Sequence, residues 1–424
     1  MRLYVAAMFG LLTASSLGAQ IDPGPRAGAG AVQPLAGLSA GELEAFKQGL
    51  ARFREVASVS GAEPGATAVG LGPRFNLNSC AGCHAQPAVG GSSPWQNPQI
   101  AAAKQYGAGN TIPAFLKLDG PVRVVRFSRF FDGRPDGGVH DLFVVTGRKD
   151  AAGCNIAQPN FDYAVSQRNA FFRIPTPVFG AGLIEAISEA SIMNNLRENF
   201  EIRGHENRNR NDGTITRFGW KAQDKSLVAF AGEALNVEEG VTNEQFPHER
   251  EDTPGCVFNT SPEDHAARGG SGASAVSAVA DFMRFLAPPA PLPATDSTRR
   301  GEQAFARIGC AACHTPNLRT GKSDVAALNE RWVPLYSDLA VHNMGTGLED
   351  FIDQGEARGR DWRTAPLWGL GQRIYLLHDG RTTDLVQAIR EHGSPGSDAG
   401  RTVAGYDALP MEARQDLLKF LRSL

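Results

Sequence analysis

Apolar residues recur at helical spacing at Leu43, Phe46, Leu50 and Phe53, directly behind a Ser39-Ala-Gly-Glu42 stretch that fits a capping box, so a helix is predicted to start at Ser39. Two β-branched runs, Val122–Phe127 and Leu142–Thr146, flank the turn-rich Asp132-Gly-Arg-Pro-Asp-Gly-Gly138 and predict a hairpin. The chain changes character at Phe171. Arg173-Ile-Pro-Thr-Pro-Val-Phe-Gly-Ala-Gly182 leads into a short helix over Leu183–Asn195, and a polar loop follows through His205 and Asp212. Phe218-Gly-Trp220 precedes a second helix, which starts near Leu227 and ends near Glu238-Glu239-Gly240. A third helix is predicted over Ala275–Leu286. Ala287-Pro-Pro-Ala-Pro-Leu-Pro293 then reads as a stiff linker.

With 424 residues the chain is long enough for two proper cores. Its 48 glycines and 26 prolines imply much ordered loop, which suits cores partly filled by a cofactor. A net charge of −3 gives no reason to expect nucleic acid or an anionic membrane as partner. Residues 1–20 run from Met1 and Arg2 through the apolar Leu3–Leu12 into small residues near Ala19, the pattern of a secretory signal peptide. Residues 21–36 are rich in Gly, Ala and Pro and are expected to be mobile. No later run is long enough to span a bilayer, so the mature chain is expected to be exported to the periplasm and soluble. The boundaries that follow are an N-terminal domain over 37–286, a linker over 287–294 and a C-terminal domain over 295–424.

Two short stretches carry chemistry: Cys80-Ala-Gly-Cys83-His84 and Cys310-Ala-Ala-Cys313-His314, each with a phenylalanine five residues upstream, Phe75 and Phe305. Two thiols at that spacing can reach the two vinyl groups of one porphyrin, and the histidine after the second thiol can then lie under the iron. Two covalently bound haem c groups are therefore expected, on ligands His84 and His314. Paired C-x-x-C knuckles could also bind zinc, but zinc has no need of a histidine after each second cysteine. The pairs could instead be redox dithiols, though thioredoxin-like surroundings are missing. Of the remaining cysteines, Cys154 and Cys256 are expected to form a disulfide in an oxidising compartment; two buried free thiols are the other reading.

The second half echoes the first. Pro177-Val-Phe-Gly-Ala-Gly182 has a counterpart in Pro366-Leu-Trp-Gly-Leu-Gly371, and Trp220, seven residues before Leu227, has one in His378, seven before Leu385. With the two cysteine motifs these make three matched features in the same order. The predicted architecture is mainly α: two cytochrome c-like helical haem domains related by duplication, with loop-rich and small β-hairpin insertions in the first.

Three longer motifs extend the pattern: Thr216-Arg-Phe-Gly-Trp-Lys-Ala-Gln223, Asp338-Leu-Ala-Val-His-Asn-Met-Gly345, and Arg363-Thr-Ala-Pro-Leu-Trp-Gly-Leu-Gly371 followed by Leu377-His-Asp-Gly-Arg381. With the cysteine motifs they resemble the bacterial di-haem cytochrome c peroxidase and MauG superfamily, in particular its di-haem oxidoreductase branch, also described as thiol oxidoreductases. The resemblance covers most of residues 40–424. It implies that Trp220 lies between the haems and carries electrons, and that an acid at the helix end, matched by Glu238 with Glu239 one residue away, stands over the iron that binds peroxide. Plain core packing for Trp220 and a solvated helix-end charge for Glu238 are the alternatives. The sixth ligand of the second iron is expected fourteen residues after His378, at His392, where relatives have methionine or tyrosine; Met344 competes with it. The first iron is expected to be open, since no histidine occurs between Ala85 and Val139 and His140 and His205 read as surface residues. Calcium between the domains is implied by relatives, and the oxygen-rich loop Asn207–Gly213 is its candidate here.

The expected function is thus an exported di-haem peroxidase. It would reduce hydrogen peroxide at the N-terminal haem, with electrons relayed through the C-terminal haem from a small cytochrome c or cupredoxin. Oxidation of a partner protein in the MauG manner, or electron transfer without peroxidase activity, are the alternatives. No free-thiol site supports thiol oxidation.

Overall fold

The computed structural model describes residues 21–27, 32–199, 202–259, 261–265 and 274–424; the leader expected over 1–20 lies outside them. The helix Ala40–Phe53 is capped as the sequence predicts, with Ser39 Oγ accepting from Glu42 N at 3.3 Å and Ser39 N donating to Glu42 Oε2 at 2.6 Å. Its buried face, Phe46, Gly49 and Phe53, crosses the helix Ala275–Phe285. Gly49 permits that crossing, because a Cβ there would stand 2.2 Å from Ala278 O. The C-terminal unit repeats the device. There Asp296–Arg307 crosses Met411–Ser423, and a Cβ at Gly301 would stand 2.1 Å from Asp416 O. In each unit a phenylalanine, Phe53 or Phe305, follows the contact glycine by one helical turn.

This packing corrects one sequence pairing. Phe75 was matched to Phe305 by its distance from the cysteines, but Phe75 sits in a short strand against Phe143 (ring centroids 5.8 Å apart) in a separate core. The residue that packs like Phe305 is Phe53. Phe53 meets His84 edge-on at 5.8 Å, and Phe305 meets His314 at a tilt at 6.2 Å.

Two other local expectations shift. Val124–Phe127 pairs with Val139–His140 rather than with Leu142–Thr146, and also with Ala170–Arg173, giving a three-stranded antiparallel sheet. Phe143–Val144 pairs instead with Arg74–Phe75. The expected helix Leu183–Asn195 is two helices, Ala181–Ala186 and Glu189–Glu198, because Ile187 turns extended and Ser188 recaps the chain through Ser191 N. The helix Leu227–Glu239 ends where expected, at Gly240, whose φ of 67° is the left-handed conformation glycine adopts at least cost. The fold is therefore mixed helical, with small two- and three-stranded sheets and much loop.

Residues 21–27, which composition predicts to be mobile, make specific contacts with the C-terminal unit. Asp22 Oδ2 pairs with Arg422 Nη2 at 2.6 Å, both side chains being buried, and Arg26 N donates to Gly371 O at 2.7 Å. Among the described residues no helix is long and apolar enough to cross a membrane.

Cys154 and Cys256 are joined in a disulfide across 102 residues of sequence, and both are buried in the core that holds Phe75 and Phe143. Closing so long a loop restricts the unfolded chain and is worth about 2–4 kcal/mol. The Cys154→Ser, Cys256→Ser double variant is expected to melt roughly 5–10 °C lower in calorimetry. Unchanged melting would show that the core holds that loop unaided.

Candidate functional site

The two units meet through matched backbone positions. Ile174, six residues before Gly180, donates its N–H to His378 O at 2.8 Å; Arg363, six residues before Gly369, donates to Trp220 O at 2.9 Å. Trp220 Nε1 also donates to Ile174 O at 2.9 Å. These bonds fix Trp220 and His378 ring edge to ring face, 6.4 Å apart, on a wall that has a cavity on either side.

The first cavity encloses about 1130 Å³, in part open to solvent, and Cys80, Cys83 and His84 line it together with Trp220 and Glu238. The second encloses about 1380 Å³ and is lined by Cys310, Cys313, His314, His342, Met344 and His392, with Trp220 and His378 on its wall. Trp220 thus borders both, as a residue between two bound groups must. It is 8% exposed, so its packing and its bridging position coincide.

Each motif histidine is oriented by a backbone carbonyl. His84 Nδ1 lies 3.1 Å from Gly91 O, with the Thr176 backbone also in contact with the ring, and His314 Nδ1 lies 2.9 Å from Tyr336 O, so each ring is held on the wall of its cavity. Burial pushes both imidazoles down to about 4, so both are neutral, as iron ligands must be. The walls also carry buried cations. Arg373 borders the second cavity, and burial and then Arg422 push it down to about 10; no carboxylate offsets that. Arg363 beside it is pushed down to about 10 by burial and then by Arg373, against the charge of Asp338. At the first cavity Arg126 and Arg173 are paired with Glu233 and Asp350, but their buried Nε atoms have no acceptor. Cysteine pairs, oriented neutral imidazoles, apolar walls and buried guanidinium groups with donors to spare together fit a haem with its propionates in each cavity.

Both acids of the helix end border the first cavity. Glu239 is engaged there, its Oε1 accepting from Cys80 Sγ at 3.5 Å. Glu238 lines the first cavity, and among the described residues its carboxyl has no hydrogen-bond partner. Burial first, then the charges of Glu239 and Glu233, push Glu238 up to about 8; burial pushes Glu239 up to about 7. Sequence reading missed Glu233 and Gln223, which share this lining, and Asp224, whose carboxyl burial and then Glu233 hold far above the usual range. Their spacing gave no signal: Glu233 stands off the i, i+3 and i, i+4 positions that would share a face with Glu238, and Gln223 and Asp224 precede the helix.

His84 is the single histidine on the first lining. His140 bonds Asp136 Oδ2 at 2.8 Å and stacks on Phe127, and His205 lies 3.9 Å from Asp361 Oδ2; neither borders the cavity. On the second lining His342 is engaged at both nitrogens, by Asp338 Oδ2 at 2.8 Å and Cys313 Sγ at 3.6 Å. His392 is engaged only at Nδ1, by Ala388 O at 2.7 Å, so its Nε2 is free. Met344 borders the same space. The oxygens of the Asn207–Gly213 loop are already used: Asn207 Oδ1 accepts from Arg208 N and Glu356 N, Asn209 Oδ1 from Asn211 N, and Asp212 pairs with Lys225.

Several known proteins are similar to this chain. A MauG-like protein associated with microbial copper homeostasis shares 18% identity over 35% of this chain, with a TM-score of 0.26; the match spans about half (52%) of that protein's length. The diheme peroxidase BthA from Burkholderia thailandensis E264 shares 15% identity over 56% of this chain and 77% of its own, with a TM-score of 0.30. Hydrazine synthase of Kuenenia stuttgartiensis shares 12% identity over the whole of both chains, with a TM-score of 0.36. These likenesses are too distant to bear on activity, and no curated protein sequence matches. The family described as "di-haem oxidoreductase, putative peroxidase" matches residues 132–424, a span that holds the second cysteine motif, Trp220 and Glu238 but not the first motif. With more than two thirds of its length matched, the chain belongs to the di-haem oxidoreductase family.

Proposed function

We propose that this di-haem oxidoreductase is an exported peroxidase. Hydrogen peroxide would be reduced in the first cavity, with electrons arriving through the second from a small cytochrome c or cupredoxin. The observation that carries the reading is Trp220, a single side chain on the wall of both cavities. In the proposal Cys80, Cys83 and His84 hold one haem in the N-terminal unit (37–286), and Cys310, Cys313 and His314 hold the other beyond the 287–294 linker. The bound haems supply the iron redox chemistry. The chain supplies position and protons. His84 takes the proximal place through Nε2, its ring kept in orientation by Gly91 O. Glu238, neutral at pH 7, gives its proton to the departing peroxide oxygen and regains one from the other, so that water leaves. His392, with Nε2 free, is the proposed sixth ligand of the second site in preference to Met344.

Electron paramagnetic resonance of the haem-loaded protein, oxidised and then half-reduced, tests this reading. High-spin ferric iron in either state is the expected result. Low-spin iron alone in both states would favour an electron-transfer cytochrome.

A second expectation concerns the wall. Trp220→Phe should leave both haems bound and slow electron transfer between them at least about tenfold, since the indole and its bond to Ile174 O are lost. Flash reduction of one haem would follow the rate. A rate equal to that of the unaltered protein would reduce Trp220 to core packing.

A further inference from the structure

Lys221, next to Trp220, is 0% exposed, and its ammonium is enclosed by oxygen. Nζ lies 2.7 Å from Arg358 O, 3.0 Å from Asp361 O, 3.2 Å from Gly359 O and 3.1 Å from Asp350 Oδ1. Four oxygens on one point, three of them carbonyls, form a cation cage rather than an ordinary ion pair. The cage also bears on the inter-cavity wall. Nζ stands 4.1 Å over the centre of the Trp362 ring, Trp362 stacks on His378 at 3.6 Å, and His378 meets Trp220. Asp350 is shared with Arg173 Nη2 at 2.6 Å, so the carboxylate in contact faces two cations, and the nearby Asp361 charge and the backbone dipoles add to it. The cage oxygens come from the C-terminal unit and the cation from the N-terminal unit, so filling the cage ties the two together beside Trp220.

We propose that Lys221 is the resident cation of an oxygen cage between the two units, occupying it in place of a metal ion, and that it positions the Trp220–His378–Trp362 wall without calcium. The proposal stands against the expectation of calcium: side-chain oxygens of the Asn207–Gly213 loop are engaged by Arg208, Glu356, Asn211 and Lys225, and the carbonyls of residues 358–361 meet the ammonium of Lys221. The proposal does not depend on which substrate the haems serve.

Metal content and melting of the haem-loaded protein decide it. Purified protein should hold no stoichiometric calcium and melt at the same temperature with and without a calcium chelator. Lys221→Ala opens the cage and removes three methylene groups and the ammonium. It should melt roughly 5–10 °C lower, for loss of one partner of a buried charge pair, and recover with added calcium or n-propylammonium. One calcium per chain together with chelator-sensitive melting would overturn the proposal, even if the variant cannot be purified. A Lys221→Ala protein that melts like the unaltered one, or gains nothing from either cation, would overturn it too.

Discussion

Protein carrying Cys80→Ala and Cys83→Ala is expected to leave the cell with one covalently bound haem per chain instead of two. The corresponding change at Cys310 and Cys313 should remove the other. The expectation rests on placement: in each cavity the two thiols and the proximal histidine face one space, and the histidine's second nitrogen is held by a backbone carbonyl. Without the thioethers a haem is held only by one axial bond and its pocket, and denaturation releases it. Intact mass and haem absorbance after acid extraction read the count directly. Two haems surviving extraction in the Cys80→Ala, Cys83→Ala protein would refute attachment at that motif and revive the zinc or dithiol readings. The experiment matters most for the first motif, which lies outside the family match.

Glu238→Gln should lower peroxide turnover by about 10²–10⁴-fold while both haems stay bound, the usual range for loss of a positioned proton donor. The fold should tolerate it, since burial and the neighbouring carboxylates already keep Glu238 protonated and neutral near pH 7, and glutamine has the same shape and charge. Glu239→Gln is the natural control. Its carboxyl sits on Cys80 at the attachment edge, so its loss should affect turnover far less. Equal turnover in Glu238→Gln and unaltered protein would remove the role from Glu238, and Glu233, on the same lining, would be the next acid to test.

Much of this site was legible because its chemistry is local. The cysteine-to-histidine spacing is set by the porphyrin, so it survives in the sequence as a contiguous string. The capping box at Ser39 and the glycine stop at Gly240 likewise depend on neighbours a few residues away. The calcium expectation rested on a weaker kind of signal. An oxygen-rich loop looks like a cation site in sequence, but Asn207 Oδ1, Asn209 Oδ1 and the Asp212 carboxylate already have partners, one of them Glu356 from far along the chain, and the carbonyls around Lys221 belong to residues 358–361, far from the lysine that meets them.

The sequence by itself determined the two Cys-x-x-Cys-His motifs, the proline-rich stretch over 287–293, most of the main helices and the choice of Trp220 and Glu238 as candidates, since each follows from spacing or from residue chemistry along the chain. Only the tertiary structure decided which phenylalanine backs His84, because the choice of Phe53 over Phe75 depends on the helix crossing that Gly49 permits. It also distinguished Glu238 from Glu239: both border the first cavity, but Glu239 is the one that accepts from Cys80. And it placed Lys221 in an oxygen cage, where the cation and its oxygens come from opposite sides of an interface that no local pattern can encode.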